Sequence, residues 1–200
     1  MNWNSYIMPE ITSSYNPMEP GQTVWQKSAR GYTINCKTIH IPSDVPVLVR
    51  WKKISWGTVV EPGDLGKALS QHLFDLAMSE DAQPYMLYWE DQPIVQVEIV
   101  EEWSCELSVT SHYVKKGDYC FFMHFNPEIT LVPVIVAALR SVCDWWIREG
   151  VTRIWTTLLP TNLMGTPLLL NAGFDLVERH LPQEESELYT FPMPFTDIRQ

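Results

Sequence analysis

A few side chains in this 200-residue chain are suited to chemistry. His124 sits in the apolar run Phe121-Phe122-Met123-His124-Phe125. An imidazole there can act as an acid–base group near neutral pH, or be a sheet histidine bonded to a neighbour. Asp118 either orients a base or substrate, or belongs to the polar turn opened by Lys115-Lys116-Gly117. Glu98 lies on the polar side of an alternating run, where it binds a cation or faces water. Asn162 either reaches a ligand or caps a short helix. Trp51 and Trp56 line a pocket for an organic molecule, or pack in a core.

Other reactive residue types read as structural. His40, His72, His112 and His180 show no mutual metal-ligand spacing. Cys36, Cys105, Cys120 and Cys143 are widely spaced and form no CxxC pair. Cys120 and Cys143 fall on core-like positions, where a thiol behaves as a small hydrophobe. A reduced, cytoplasmic chain without a metal site is the simplest expectation.

The elements that must position these residues follow from periodicity. Alternation predicts a strand from Tyr32 to Ile41. Asp44 then caps a short helix over Val47 to Lys53, with Pro46 in its first turn. A second helix runs from Asp64 to Met78, with His72 on its apolar side. Tyr85 to Glu90 and Ile94 to Val100 read as a hairpin around Asp91-Gln92-Pro93. Asp118 to Phe125 is the next strand. The strongest signal is a helix from about Leu131 to Glu149, with Val132, Ile135, Val136, Leu139, Val142 and Trp146 on one stripe. Thr130 is its expected N-cap and Gly150 its C-terminal stop. Strands at Thr152 to Leu158, Phe174 to His180 and Leu188 to Phe191 follow, with a short helix through Leu168 to Asn171 closed by Gly173. Residues 1–30 read as irregular, and 31–200 as one α+β domain with a mixed, mostly antiparallel sheet flanked by helices.

Composition narrows the function. Hydrophobic residues make up 46% and charged residues 19%, the balance of a folded domain. The net charge of −10, from 24 acids against 14 bases, argues against a nucleic-acid partner. The longest apolar run, Leu131 to Leu139, is too short for a membrane span and is broken by Pro133. Met1-Asn2-Trp3-Asn4 does not open a secretory signal.

The element order resembles the GNAT superfamily of N-acetyltransferases. The likeness is sharpest from Tyr119–Phe125 through the long helix to Asn171-Ala172-Gly173-Phe174. Within that superfamily the chain looks most like the siderophore-biosynthesis branch, whose aerobactin-type members acylate N6-hydroxylysine. The resemblance rests on Trp51, Glu98, Tyr113, Gly117-Asp118, Pro160 and Asn162 in their order. Two positions depart from it. Phe122 stands where the branch has a histidine, with His124 two residues on and on the same strand face. Thr161 stands where the branch has an acid.

The resemblance implies an acyl-CoA-dependent N-acyltransferase acting on a small amine or hydroxylamine, with acetyl-CoA or another acyl-CoA as cosubstrate and with a homodimer among its possible states. It implies His124 and Asp118 as catalytic residues, and Trp51 and Glu98 as substrate-binding ones. Met123, Phe125, Asn126, Thr130, Leu131 and Asn162 would then hold the cofactor. The expected pyrophosphate loop, Asn126 to Pro133, contains no glycine. Pro127 and Pro133 remove two N–H donors and Glu128 adds a negative charge, which degrades an anion cradle. A GNAT-fold module that has lost acyl-CoA chemistry is therefore the rival expectation, and a transferase fed by an acyl carrier protein the third.

Overall fold

The computed structural model describes residues 20–191 except 30, 57–61, 102–112, 116, 161, 163 and 180–185. Cys105, His112, Thr161, His180 and the side chain of Trp56 lie outside the described residues. In chain order the elements are β1 (Thr23–Ala29), β2 (Tyr32–Thr38), α1 (Ile41–Trp56), α2 (Pro62–Met78), β3 (Ala82–Trp89), β4 (Gln92–Glu101), β5 (Tyr119–Phe125), α3 (Val132–Arg148), β6 (Ile154–Leu158), α4 (Gly165–Ala172), β7 (Asp175–Glu178) and β8 (Glu187–Phe191). The strands form one sheet in the order β1-β2-β3-β4-β5-β6-β8-β7. Among the described residues this is a mixed α+β fold with a mostly antiparallel eight-stranded sheet and four flanking helices.

Every neighbouring pair of strands is antiparallel except β5 and β6. α3 is the crossover between those two, as a parallel connection requires. β4 and β5 pair from Val95↔Phe125 to Glu101↔Tyr119. β5 and β6 pair only at Tyr119↔Ile154 and Cys120↔Trp155. Beyond Cys120 the two strands no longer pair, and among the described residues no strand pairs with β5 from Phe121 to Phe125 on that side.

Alternation sorts the strand residues onto two faces. Val97 and Ile99 of β4 and Phe121 of β5 pack with Leu139, Val142 and Trp146 of α3. Truncating Trp146, 1% exposed, to alanine removes a core anchor of the kind that costs about 3–5 kcal/mol. On the other face α1 and α2 pack through Leu48, Trp51, Leu69 and Leu73 onto Met86 of β3. Gln96, Glu98, Phe122 and His124 belong to this second face by the same alternation. No helix among the described residues is long and apolar enough to cross a membrane.

Local structure departs from the sequence expectation at three places. Thr23–Ala29 is an edge strand paired with β2 and irregular at Thr23/Trp25. Thr23 to Ser28 are exposed or half-buried, so no clean alternation marks the strand. α1 starts at Ile41 and runs for 16 residues. Asp44 lies inside its first turn, where Oδ2 accepts the His40 N–H at 2.8 Å. The N-cap of α3 is Leu131 rather than Thr130, and no side chain caps it. Proline near the start of α3 fixes the entry. Gly150 and Gly173 do adopt the left-handed conformation expected of helix stops, with φ of 102° and 103°.

Candidate active site

Four elements converge on one polar cluster beneath α1 and α2. β4 presents Gln96 and Glu98; β5 presents His124 directly across from Gln96, and Phe122 across from Glu98. α2 contributes His72, whose Nε2 lies 3.1 Å from both carboxylate oxygens of Glu98. α1 contributes Lys52, whose Nζ lies 3.5 Å from His124 Nε2. Gln96 Nε2 donates to Glu98 Oε1 at 3.0 Å. Gln96 Oε1 is buried and has no hydrogen-bond partner among the described residues. Phe122 is 36% exposed, an open aromatic face beside the splayed edge.

The cluster sets its own charge pattern. Burial pushes the Glu98 carboxyl up, but the hydrogen bond and charge of His72 outweigh it and hold the group below the usual range. The same hydrogen bond raises the His72 pKa against the opposing effect of burial. Burial, aided by the Lys52 cation, brings His124 down to about 4 against the pull of Glu98. Burial also lowers Lys52, with Glu98 opposing. At neutral pH His124 is therefore uncharged beside a carboxylate and an ammonium, with Nε2 accepting from Lys52.

The sequence-selected residues divide into separate groups. His124 and Glu98 meet in the cluster. Met123 and Phe125 pack with the α3 core, while their backbone lies on the free edge of β5. Asn126 is buried; its Nδ2 donates to Pro93 O and its Oδ1 accepts the Glu128 N–H, each at 3.0 Å. Thr130 and Leu131 are exposed at the start of α3. Asn162 Oδ1 accepts the Gly165 N–H at 2.9 Å, a capping contact. Trp51 is 2% exposed within the α1–α2 core. Asp118 lies at the far end of β5 from His124. It accepts from Arg153 Nε at 3.0 Å, Trp155 Nε1 at 2.8 Å and Lys115 N–H at 2.9 Å.

Lys52, His72 and Gln96 were not selected from sequence. Gln96 is buried, Lys52 half-buried and the His72 side chain 51% exposed, and a lone polar residue of any of these kinds is a weak signal. Their meeting spans contacts far apart in sequence, and periodicity does not report such contacts.

A central antiparallel sheet that splays at one parallel step, with α3 crossing between the splayed strands, is the fold of the GNAT acyl-CoA N-acyltransferases. Solved structures give the likeness particular form. The aminoglycoside acetyltransferase AAC(6')-Ib, in complex with ribostamycin and coenzyme A, matches at a TM-score of 0.65 and 15% identity over 84% of this chain and 98% of that one. The ribosomal α-N-protein acetyltransferase RimL, in complex with coenzyme A, matches at 0.59 and 11% identity over 80% and 94%. An uncharacterized protein from Bacillus halodurans matches at 0.69 and 14% identity over 86% and 91%. At these identities the likeness is one of fold. No family model and no curated protein matches the chain.

Proposed function

We propose that this protein is an acyl-CoA-dependent N-acyltransferase acting on a small amine or hydroxylamine. The observation that carries the reading is the free edge of β5 next to the His124 cluster. An extended chain of amides can add to such an edge as an extra strand would. The pantetheine arm of acetyl-CoA is such a chain, and the backbone of Met123 and Phe125 would bind it. Asn126 shapes the following turn. Thr130 and Leu131, at the start of α3, would face the phosphates. Asn162, whose Oδ1 accepts from the Gly165 N–H, would offer its amide donors to the arm. Structures of similar fold that hold coenzyme A support this assignment.

The acyl step is direct. The acceptor nitrogen attacks the thioester carbonyl, the C–N bond forms and the C–S bond breaks. Lys52 gives up its hydrogen bond to His124 Nε2, the acceptor proton passes to that nitrogen, and the sulfur leaves as a thiolate that is then protonated. The protein mainly positions the two reactants and manages the proton. A histidine held this low is a weak base. It suits an acceptor that is already neutral, or a nitrogen made acidic by the attack. Hydroxylamines are weaker bases than alkylamines, so they fit this base better. Glu98, with His72, would hold the acceptor, and Phe122 would floor its site.

The rival reading is a binding module without acyl transfer, favoured by the glycine-free turn from Asn126 to Pro133. Calorimetry with acetyl-CoA, a longer acyl-CoA and free CoA separates the two. Saturable micromolar binding is expected. No binding up to millimolar ligand overturns the enzyme reading.

A further inference from the structure

Arg50 of α1 and Glu128 of the β5–α3 turn form an ion pair. The side chains are 66% and 42% exposed, so the pair contributes little to stability. Its position is less ordinary. Two residues beyond Arg50, Lys52 contacts His124, so one stretch of α1 reaches both the candidate base and the turn that follows it. The turn is built: Glu128 N–H donates to the buried Asn126, itself anchored to Pro93 O. Residues 126–133 include no cation of their own, and Glu128 is their one charged residue.

A donor lying along the free edge of β5 therefore brings its phosphate end to a turn whose carboxylate repels it and whose carboxylate already holds an arginine. We propose that Arg50 is the phosphate ligand for the donor, and that Glu128 is its resting partner, displaced when the phosphate binds. This inference rests on the acyl-pantetheine reading above. A guanidinium fork matches a phosphate as well as a carboxylate, and the exchange keeps its hydrogen bonds while adding charge. The shared chemistry is the phosphate ester of phosphopantetheine, whether it comes from coenzyme A or from the arm of a carrier protein.

The test measures binding of CoA, 4′-phosphopantetheine and pantetheine to the wild type, Arg50→Ala and Glu128→Gln. Arg50→Ala is expected to weaken both phosphate-bearing ligands roughly tenfold, and pantetheine by less than about twofold. Glu128→Gln is expected to tighten the phosphate-bearing ligands about two- to fivefold, a gain that misfolding cannot produce. An equal response of CoA and phosphopantetheine supports the inference and assigns the contact to the 4′-phosphate shared with carrier proteins. A response of CoA alone supports it and assigns the contact to the nucleotide diphosphate. An equal loss for pantetheine, or no tightening in Glu128→Gln while the wild type binds CoA, overturns it. A wild type that binds none of the three overturns the donor reading and this inference with it.

Discussion

His124 owes its low proton affinity first to burial and then to Lys52, while Glu98 pulls the other way. As the base it must be uncharged, so kcat/KM should fall as pH drops through about 4. Lys52→Met removes one of the lowering influences, and the acid limb should move upward; a pH–rate profile checks this. His124→Ala should lower kcat/KM by roughly 10²- to 10⁴-fold without changing the circular dichroism spectrum. The same residue leaves a mark on stability. Its folded pKa lies below the ordinary 6.5, so the unfolded chain takes up the proton first. That contribution is complete above 6.5 and is lost as pH falls towards about 4. His124→Gln should flatten this part of the stability curve, measured by urea unfolding across that range.

At the scale of elements, Asp118 fastens the closed end of the splay. Its carboxylate ties Lys115 before β5 to Arg153 and Trp155 at the start of β6. These are the strand ends where β5 and β6 still pair. Asp118→Ala strands a partly buried arginine and a buried indole N–H, and should cost about 3 kcal/mol in denaturant unfolding. The protein that remains folded should turn over at a rate close to wild type; a loss comparable to His124→Ala would instead give Asp118 the catalytic role that the family resemblance implied. Gly173 ends α4 at φ 103°, and a Cβ there would sit 3.0 Å from the Phe191 ring. Gly173→Ala should therefore lower stability by about 1–2 kcal/mol, seen as a drop in Tm.

For the whole molecule, the two helical layers do different work. α3 packs on one face against the large core built with the strands, while α1 and α2 roof the polar cluster on the other. Among the described residues β5 carries an edge with no partner strand beyond Cys120. Binding of acetyl-CoA should slow amide hydrogen exchange in the segment from Phe121 to Phe125, while β3, already paired on both sides, should change little. Uniform slowing across the sheet would point to global stabilisation alone. Ligand at a hundred times its Kd should also add about 2.7 kcal/mol to unfolding, read as a rise in Tm.

Much of the scaffold was legible because its signals are local. The apolar stripe of α3, the alternation of β4 and the glycines that close α3 and α4 each lie within a short window. His124 and Glu98 stood out because a polar side chain in an apolar or alternating run must be explained. β1 escaped because a half-exposed edge strand carries no clean period and takes its form from pairing with β2. The start of α1 escaped because Pro42-Ser43-Asp44 read as the end of the strand and a cap, although the first turn of a helix tolerates a proline such as Pro42. The approach of Lys52 to His124 and of His72 to Glu98, the pairing of Glu128 with Arg50, and the opening beside β5 were decided by tertiary structure alone. Each depends on contacts between residues distant in the chain, and a local period fixes which face a side chain takes but not what it meets there.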